Sequence, residues 1–172
     1  MDEKTLELLT HDALGRILKN HSQFIHSGGK AGSWADLSLY IIKDFDFSNL
    51  DLHGIHLHHS ILTHCQFVGT ELSKADFDGT RARYNNFREA GLVKAEIFSA
   101  DMTGSCFENA NMVRATIMKS NLYGATFNQA DLLGVIFSEC DLRKAVFDGA
   151  NLERTRFEDC LVDGASGIDM NP

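Results

Sequence analysis

The chain has 172 residues, of which 44% are hydrophobic and 23% charged, and these values are typical of one globular domain with a buried core. The formal net charge of −8 opposes general binding to nucleic acid, because phosphate contacts require a basic surface. There is no run of about 18 apolar residues and no basic N-terminus before an apolar stretch, so we expect neither a transmembrane helix nor a signal peptide.

The N-terminal segment, residues 2–26, contains the pattern of an amphipathic helix. Thr10 is a suitable N-cap, and the consecutive glycines Gly28 and Gly29 are typical of a helix end. The apolar side of this helix would hold Leu14, Ile17, Leu18, His21 and either Phe24 or Ile25, and Leu6 and Leu9 extend the apolar set upstream. We interpret the helix as a cover for the structure that follows; a recognition helix is the alternative.

A repeat of five residues occupies most of the remaining chain. Every fifth residue from Leu37 to Val162 is apolar, and we call this position the centre of each repeat. The residue two before the centre is mostly small, and glycine is frequent two residues after the centre. A period of five fits neither an α-helix nor a simple strand. It predicts a chain that turns a corner in every repeat and points two side chains inward, one large and one small.

Centres twenty residues apart are alike, which indicates that four repeats make one coil. One series is phenylalanine throughout, namely Phe47, Phe67, Phe87, Phe107, Phe127 and Phe147. The next series contains no aromatic residue and consists of Leu52, Leu72, Leu92, Met112, Leu132 and Leu152. We therefore predict a phenylalanine ladder along one face and an aliphatic ladder along the next.

The repeats resemble the consensus A(D/N)LXX of the pentapeptide-repeat family, for example in residues 75–79 (ADFDG) and 145–152 (AVFDGANL). The resemblance covers residues 35–165, and the segment 21–37 resembles a lead-in found before the repeats of many bacterial members. It implies an all-β solenoid, a right-handed quadrilateral β-helix of about six to seven coils, with an N-terminal α-helical cap. The predicted divisions are a helical cap and lead-in (1–34), the β-helix (35–165) and a C-terminal tail (166–172).

The C-terminal end of the β-helix has no obvious cover. Both ends of a β-helix expose core side chains and unpaired backbone, yet residues 163–172 are short and lack the pattern of an amphipathic helix. The last coil would then leave four apolar side chains open, namely Phe147, Leu152, Phe157 and Val162. We expect end-to-end homodimerisation through these residues.

Histidines cluster near the N-terminal end of the repeats. Five of them fall within about one coil, all at outward positions: His53, His56, His58, His59 and His64. The stacked positions one coil away hold Asp36, Asp76 and Asp78. Imidazoles beside carboxylates suit a divalent metal, but they also suit ion pairs that form when histidine is protonated. We favour a polar surface and assign no metal ligand, with metal binding as the alternative.

The twenty-residue period also sorts charged side chains by face. The face with centres 37 to 157, which we call the acidic face, has seven acids (Asp36, Asp76, Asp78, Glu96, Glu139, Glu158, Asp159) and two bases (Lys119, Arg156). The preceding face carries a basic column made of Lys74, Lys94, Arg114 and Arg154.

Several outward positions hold apolar residues where polar ones are expected. Val93, Val113 and Leu133 form one column, and Phe98, Met118 and Ile136 lie around the same corner, with Lys94 and Arg114 at the rim. A contiguous exposed apolar patch usually marks an interaction site, although β-branched residues are also simply favoured on strands. We predict that these eight residues bind a partner.

The sequence contains no catalytic motif, since it has no GxSxG, Walker or HExxH pattern. The four cysteines, Cys65, Cys106, Cys140 and Cys160, form no CxxC pair, and we interpret them as reduced thiols in a cytoplasmic protein. We predict no catalytic residue, no cofactor, no small-molecule substrate and no direct contact with nucleic acid or membrane. The expected function is a non-enzymatic interaction module that presents flat faces to a protein partner.

The family resemblance implies one alternative function. Some members resemble B-DNA in size and charge and protect type II topoisomerases from quinolones. The acidic face and an end-to-end dimer would fit that role. However, many of those proteins carry loops within the repeats, whereas the frame from 37 to 162 is uninterrupted here.

Overall fold

A computed structural model describes residues 6–168 and contains one helix and short parallel strands. The helix α1 spans His11–His26, and the strands are β1 (Glu7–Leu8), β2 (Tyr40–Lys43), β3 (Ile61–Thr63), β4 (Glu96–Phe98), β5 (Thr116–Met118), β6 (Ile136–Ser138) and β7 (Arg156–Glu158). They form two parallel sheets, ordered β1-β2-β3 and β4-β5-β6-β7. From β2 onward, paired residues are twenty apart, as in Ile97 with Ile117. The predicted fold, a quadrilateral β-helix of about six turns with an N-terminal helix, is confirmed.

The corners of the coil depend on a left-handed residue two positions after each centre. This residue is glycine in some repeats, but in many it is not, as at Leu39 (φ 64°), Tyr84 (φ 56°) and Lys94 (φ 56°). A left-handed conformation costs a residue with a side chain about 1–2 kcal/mol, so the surrounding coil must hold it in place. Glycine is required at Gly54, because the Trp34 indole lies directly over it and donates a hydrogen bond to its carbonyl oxygen at 2.6 Å.

The phenylalanine ladder forms as predicted and fills the core. Its six rings, from Phe47 to Phe147, stack with centroid separations of 4.7–5.1 Å and interplanar angles of 5–10°. All six are fully buried, as are the aliphatic centres from Leu52 to Leu132. Because neighbouring strands lie about 4.8 Å apart, rings on successive coils meet face to face at the same spacing.

A second ladder of hydrogen bonds lines the small inward position, two residues before each centre. The hydroxyl of Thr70 donates to the carbonyl oxygen of Phe47 at 2.8 Å, and Ser105 makes the same bond to Ala82 at 2.7 Å. Each donor lies 23 residues after its acceptor, so each bond joins successive coils. Buried Asn85 follows the same rule toward Leu62 at 3.0 Å. These bonds satisfy groups that burial would otherwise leave unpaired, and they tie each coil to the one before it.

The N-terminal helix covers the first coil, as the sequence predicts. The Thr10 hydroxyl oxygen accepts a hydrogen bond from the Ala13 amide at 3.3 Å, and Leu14 is fully buried against the core. Leu9 continues the apolar set upstream of the helix, since its side chain is buried in the core. Residues Glu7–Leu8 form β1, and the Leu9 amide just after this strand donates to the Ile41 carbonyl at 2.9 Å. The strand satisfies part of the otherwise open edge of the first coil.

His21 connects the helix to the lead-in from inside the protein. Its side chain is fully buried, and its Nδ1 accepts a hydrogen bond from the Ala35 amide at 3.1 Å. Burial lowers the pKa of this imidazole, which favours the neutral ring whose Nδ1 can accept that bond. The Trp34 ring packs edge-on against it at 5.5 Å, and Phe24 packs edge-on against Trp34 at 5.0 Å.

Replacing Phe107 with alanine should lower the free energy of unfolding by about 3–5 kcal/mol, because the ring is fully buried between Phe87 and Phe127 at 5.1 Å on each side. Denaturant unfolding followed by circular dichroism measures the change. Phe98→Ala is the matched control, since Phe98 points outward and its loss should cost about 1 kcal/mol or less. Equal losses for the two variants would contradict the inward ladder.

Candidate interaction surface

The predicted apolar column is in vertical register in the structure. The Lys94 amide donates to the Val113 carbonyl at 3.0 Å, and the Arg114 amide donates to the Leu133 carbonyl at 2.9 Å. These bonds place the side chains of Val93, Val113 and Leu133 above one another. All three are half-buried, so each coil contributes one small apolar area to a continuous stripe.

The residues around the corner belong to two different rows. Phe98 pairs with Met118, whereas Ile136 pairs with Thr116, which in turn pairs with Glu96. Ile136 therefore borders Leu133, while the row of Phe98 and Met118 lies on the far side of the buried centres. In the two coils that contain Phe98 and Met118, Glu96 and Thr116 lie between the two apolar areas. The sequence could place all these residues near one corner, but only strand register reveals this division.

The rim of the apolar stripe is basic. Lys94 and Arg114 are exposed, and both occupy left-handed corner positions with φ 56° and 58°. Within residues 6–168, neither side chain forms an ion pair with a carboxylate. Their charges are therefore available beside Val93 and Val113.

The C-terminal end differs from the prediction at one residue. Phe147 is not open but fully buried, because the chain beyond the last coil returns over it. The Phe147 amide donates to the Ser166 carbonyl at 2.9 Å, and the backbone of Gly167 lies so close that a Cβ there would come within 2.5 Å of the Phe147 carbonyl carbon. The other three predicted residues, Leu152, Phe157 and Val162, are half-buried. The neighbouring Leu161, which the sequence reasoning did not select, is 53% exposed.

The histidine cluster forms pairs. The Nε2 atom of His58 lies 2.6 Å from the Asp76 carboxylate, and the ring of His56 stacks on that of His58 at 5.4 Å. His64 lies 3.3 Å from the Asp44 carboxylate. Among the residues described, no three histidine, cysteine, aspartate or glutamate side chains are grouped as a metal site would require. Each of these two contacts joins one imidazole to one carboxylate.

Part of the acidic face is neutralised by pairing. Lys119 lies 3.8 Å from Glu139, and Arg156 lies 3.2 Å from Glu158, so both bases of this face pair with its own acids. Toward its N-terminal end, this face also holds Asp78 and Asp76, of which Asp76 lies beside His58. Such exposed pairs contribute little to stability, but they reduce the local field.

Sequence reasoning missed an exposed aromatic side chain. Tyr84 occupies a corner position and is 71% exposed, the largest value among the exposed large hydrophobic side chains described. It borders a groove of about 380 Å³ that also contains Ile61, His64, Arg81 and Arg83. The sequence did contain a signal for this exposure, because Tyr84 is aromatic at a corner position where most repeats have glycine or a polar residue.

The described part of the chain contains no helix long and apolar enough to cross a membrane.

Parallel coils, a five-residue corner period and inward centres define a β-solenoid of the repeat class. Two family models match these repeats: a pentapeptide repeat region over residues 98–166, and pentapeptide repeats (8 copies) over residues 46–79 and 75–113. The chain belongs to the pentapeptide-repeat family.

Solved structures with a similar fold come from the same family. A trypsin-treated variant of QnrB1, a plasmid-mediated fluoroquinolone resistance protein, is 20% identical with a TM-score of 0.70, covering 80% of this chain and 71% of QnrB1. A second trypsin-treated QnrB1 variant gives 20% identity, a TM-score of 0.52, and coverage of 80% and 73%. HetL, a pentapeptide-repeat protein involved in the regulation of heterocyst differentiation from the cyanobacterium Nostoc, is 23% identical with a TM-score of 0.45, and coverage is 84% and 77%. Among curated proteins, none matches this chain.

Proposed function

We propose that this chain is a non-enzymatic interaction module that binds a protein partner through the apolar stripe formed by Val93, Val113, Leu133 and Ile136. The observation that carries the proposal is the vertical register of these outward side chains on three successive coils. A rigid backbone holds them in place, so binding would require little ordering of the module itself. Phe98 and Met118 add a second apolar row on the adjacent acidic face.

The chemistry of the surface indicates what the partner would contribute. A half-buried apolar stripe favours contact with apolar side chains of the partner, because each buried area is removed from water. The free charges of Lys94 and Arg114 at the rim favour acidic groups beside that apolar contact. The proposed partner surface is therefore apolar with an acidic edge.

Changing Val113 and Phe98 together to aspartate should weaken capture of the protein partner from a host lysate by about tenfold or more, with an unchanged melting curve. Both side chains are half-buried and point outward, so the substitutions add charge to the surface and leave the core intact. Val68→Asp is the matched control, since Val68 is a half-buried outward valine on another face. Equal capture by the double variant and the control would refute this surface.

A second candidate function is mimicry of nucleic acid toward a type II topoisomerase. The observation in its favour is the acidic face, with seven acids and two bases along a straight rod. Carboxylates distributed along this face could occupy a groove that normally binds phosphates. The similarity to QnrB1 extends to the fold alone, so the charge carries this alternative.

A gyrase supercoiling assay with a fluoroquinolone tests the alternative directly. If mimicry operates, the protein restores supercoiling, and changing Asp78 and Glu96 to the neutral amides reduces the effect. The V113D and F98D substitutions should then leave this restoration of supercoiling intact, because they add acidic side chains to the same β-helix. Absence of protection at saturating protein would exclude the alternative and leave the apolar stripe as the proposed site.

We also propose that two copies of the chain meet end to end at the C-terminal coil. In residues 6–168, no strand pairs with the outer edge of β7, and Phe157 and Val162 are only half-buried. A second copy would cover these side chains and pair part of the open edge. Phe147 no longer belongs to this set, because it is already covered.

Light scattering at micromolar concentration should give the mass of a dimer, and Val162→Asp should convert it to a monomer, because a carboxylate would be buried at the contact. Leu8→Asp is the control, since Leu8 is 61% exposed at the opposite end of the rod. A monomeric wild-type protein, or dissociation of both variants alike, would contradict the end-to-end contact.

A further inference from the structure

Two of the four cysteines occupy the same position on successive coils. Both lie two residues before a centre, in the column of small inward residues Ser60, Thr80, Ala100, Ser120, Cys140 and Cys160. The other residues of this column are serine, threonine or alanine. The two cysteines are therefore neighbours at the C-terminal end of the column. Cys65 and Cys106 lie in other columns, where Cys106 pairs with Asn86 and Thr126.

The coil geometry places the two thiol side chains at equivalent positions on neighbouring coils. Cys140 Sγ lies 3.3 Å from the carbonyl oxygens of Ile117 and Ser138, and Cys160 Sγ lies 3.4 Å from those of Phe137 and Glu158. The two side chains therefore have the same orientation on neighbouring coils. The spacing of neighbouring strands, about 4.8 Å, is within the Cα separations that disulfides span.

The two thiols lie in unequal environments. The neighbouring Cys140 side chain lowers the pKa of Cys160. The same contact, together with burial, raises the pKa of Cys140. Cys160 is half-buried on the last coil, whereas Cys140 is buried and borders a shallow groove of about 440 Å³ lined by Lys119, Asp141 and Leu161.

We propose that Cys140 and Cys160 are a redox modification site that a hydroperoxide converts to a disulfide between coils. The Cys160 thiolate attacks the peroxide oxygen, and with one proton it yields Cys160 sulfenic acid and releases water or an alcohol. The Cys140 sulfur then displaces the hydroxyl group, its proton leaves in water, and the sulfur–sulfur bond forms. The two thiols lose two electrons in total, and the hydroperoxide accepts them.

The bond would fasten the last coil to the one before it. β7 is the final strand of its sheet, so this coil is held on one side only within the part of the chain described. A disulfide between residues 140 and 160 closes a loop of one coil and restricts its opening. Because the last coil has no described neighbour on its outer side, it can adjust slightly to the shorter Cβ separation that a disulfide needs.

The simpler interpretation is that both cysteines only replace serine as donors within the column. Ser120 provides the comparison, because its hydroxyl donates to the Ile97 carbonyl at 3.0 Å in the same way. Serine substitutions should therefore preserve the fold while removing the sulfur chemistry. This makes Cys160→Ser and Cys140→Ser suitable test variants.

The experiment treats the full chain with hydrogen peroxide and measures free thiols, intact mass and peptide linkage without reductant. We expect loss of two of the four thiols, a mass lower by two hydrogen atoms, and a peptide linking residues 140 and 160. A thiol reductant should reverse the change. Amide hydrogen exchange around residues 156–158 should be slower in the oxidised protein than in the reduced protein.

Matched variants separate the pair from single-thiol chemistry. Cys160→Ser should abolish the mass decrease, whereas Cys65→Ser, which removes a buried cysteine from another column, should leave it unchanged. Oxidation of Cys140→Ser should stop at sulfenic or sulfinic acid on Cys160. The proposal is overturned if the wild-type protein gains oxygen at Cys160 without forming the linkage, if it forms only disulfides between chains, or if it does not react while folded.

Discussion

The left-handed residue two positions after each centre is the constraint on which the rest of the structure depends. It turns the chain at every fifth residue, so four repeats close a coil and each side chain comes to lie over the one twenty residues before it. Many of these positions carry side chains that resist this conformation, as at Lys94 and Tyr84. The stacked rings, the parallel hydrogen bonds and the inner hydroxyl ladder must together offset that cost.

The same vertical register that builds the core also organises the surface. Phe87 and Phe107 stack because they are twenty residues apart, and Val93 and Val113 form an outward stripe for the same reason. Cys140 and Cys160 occupy equivalent positions on successive coils for the same reason. In a repeat protein of this kind, residues of one type that recur every twenty positions therefore form a line along the solenoid, whether they are aromatic, apolar, charged or reactive.

The internal ladders could be predicted from sequence because they depend on the period alone. The ends could not, since their structure depends on which edge needs hydrogen bonds: the segment before Thr10 became a strand on the first coil, and the tail covered Phe147. The division of the apolar surface by Glu96 and Thr116 required strand register. Tyr84 showed no periodic pattern with other aromatic residues, so its exposure was not anticipated.

Deleting either one whole coil or half of one tests the twenty-residue register most directly. Removing residues 98–117 keeps every remaining centre above its own kind, whereas removing residues 98–107 keeps the five-residue frame but shifts each later centre by two faces. Denaturant unfolding measures both proteins. The larger deletion should unfold cooperatively and remain the more stable of the two, although it removes more of the core. A half-coil deletion that is equally stable, or more stable, would contradict a fold determined by vertical stacking.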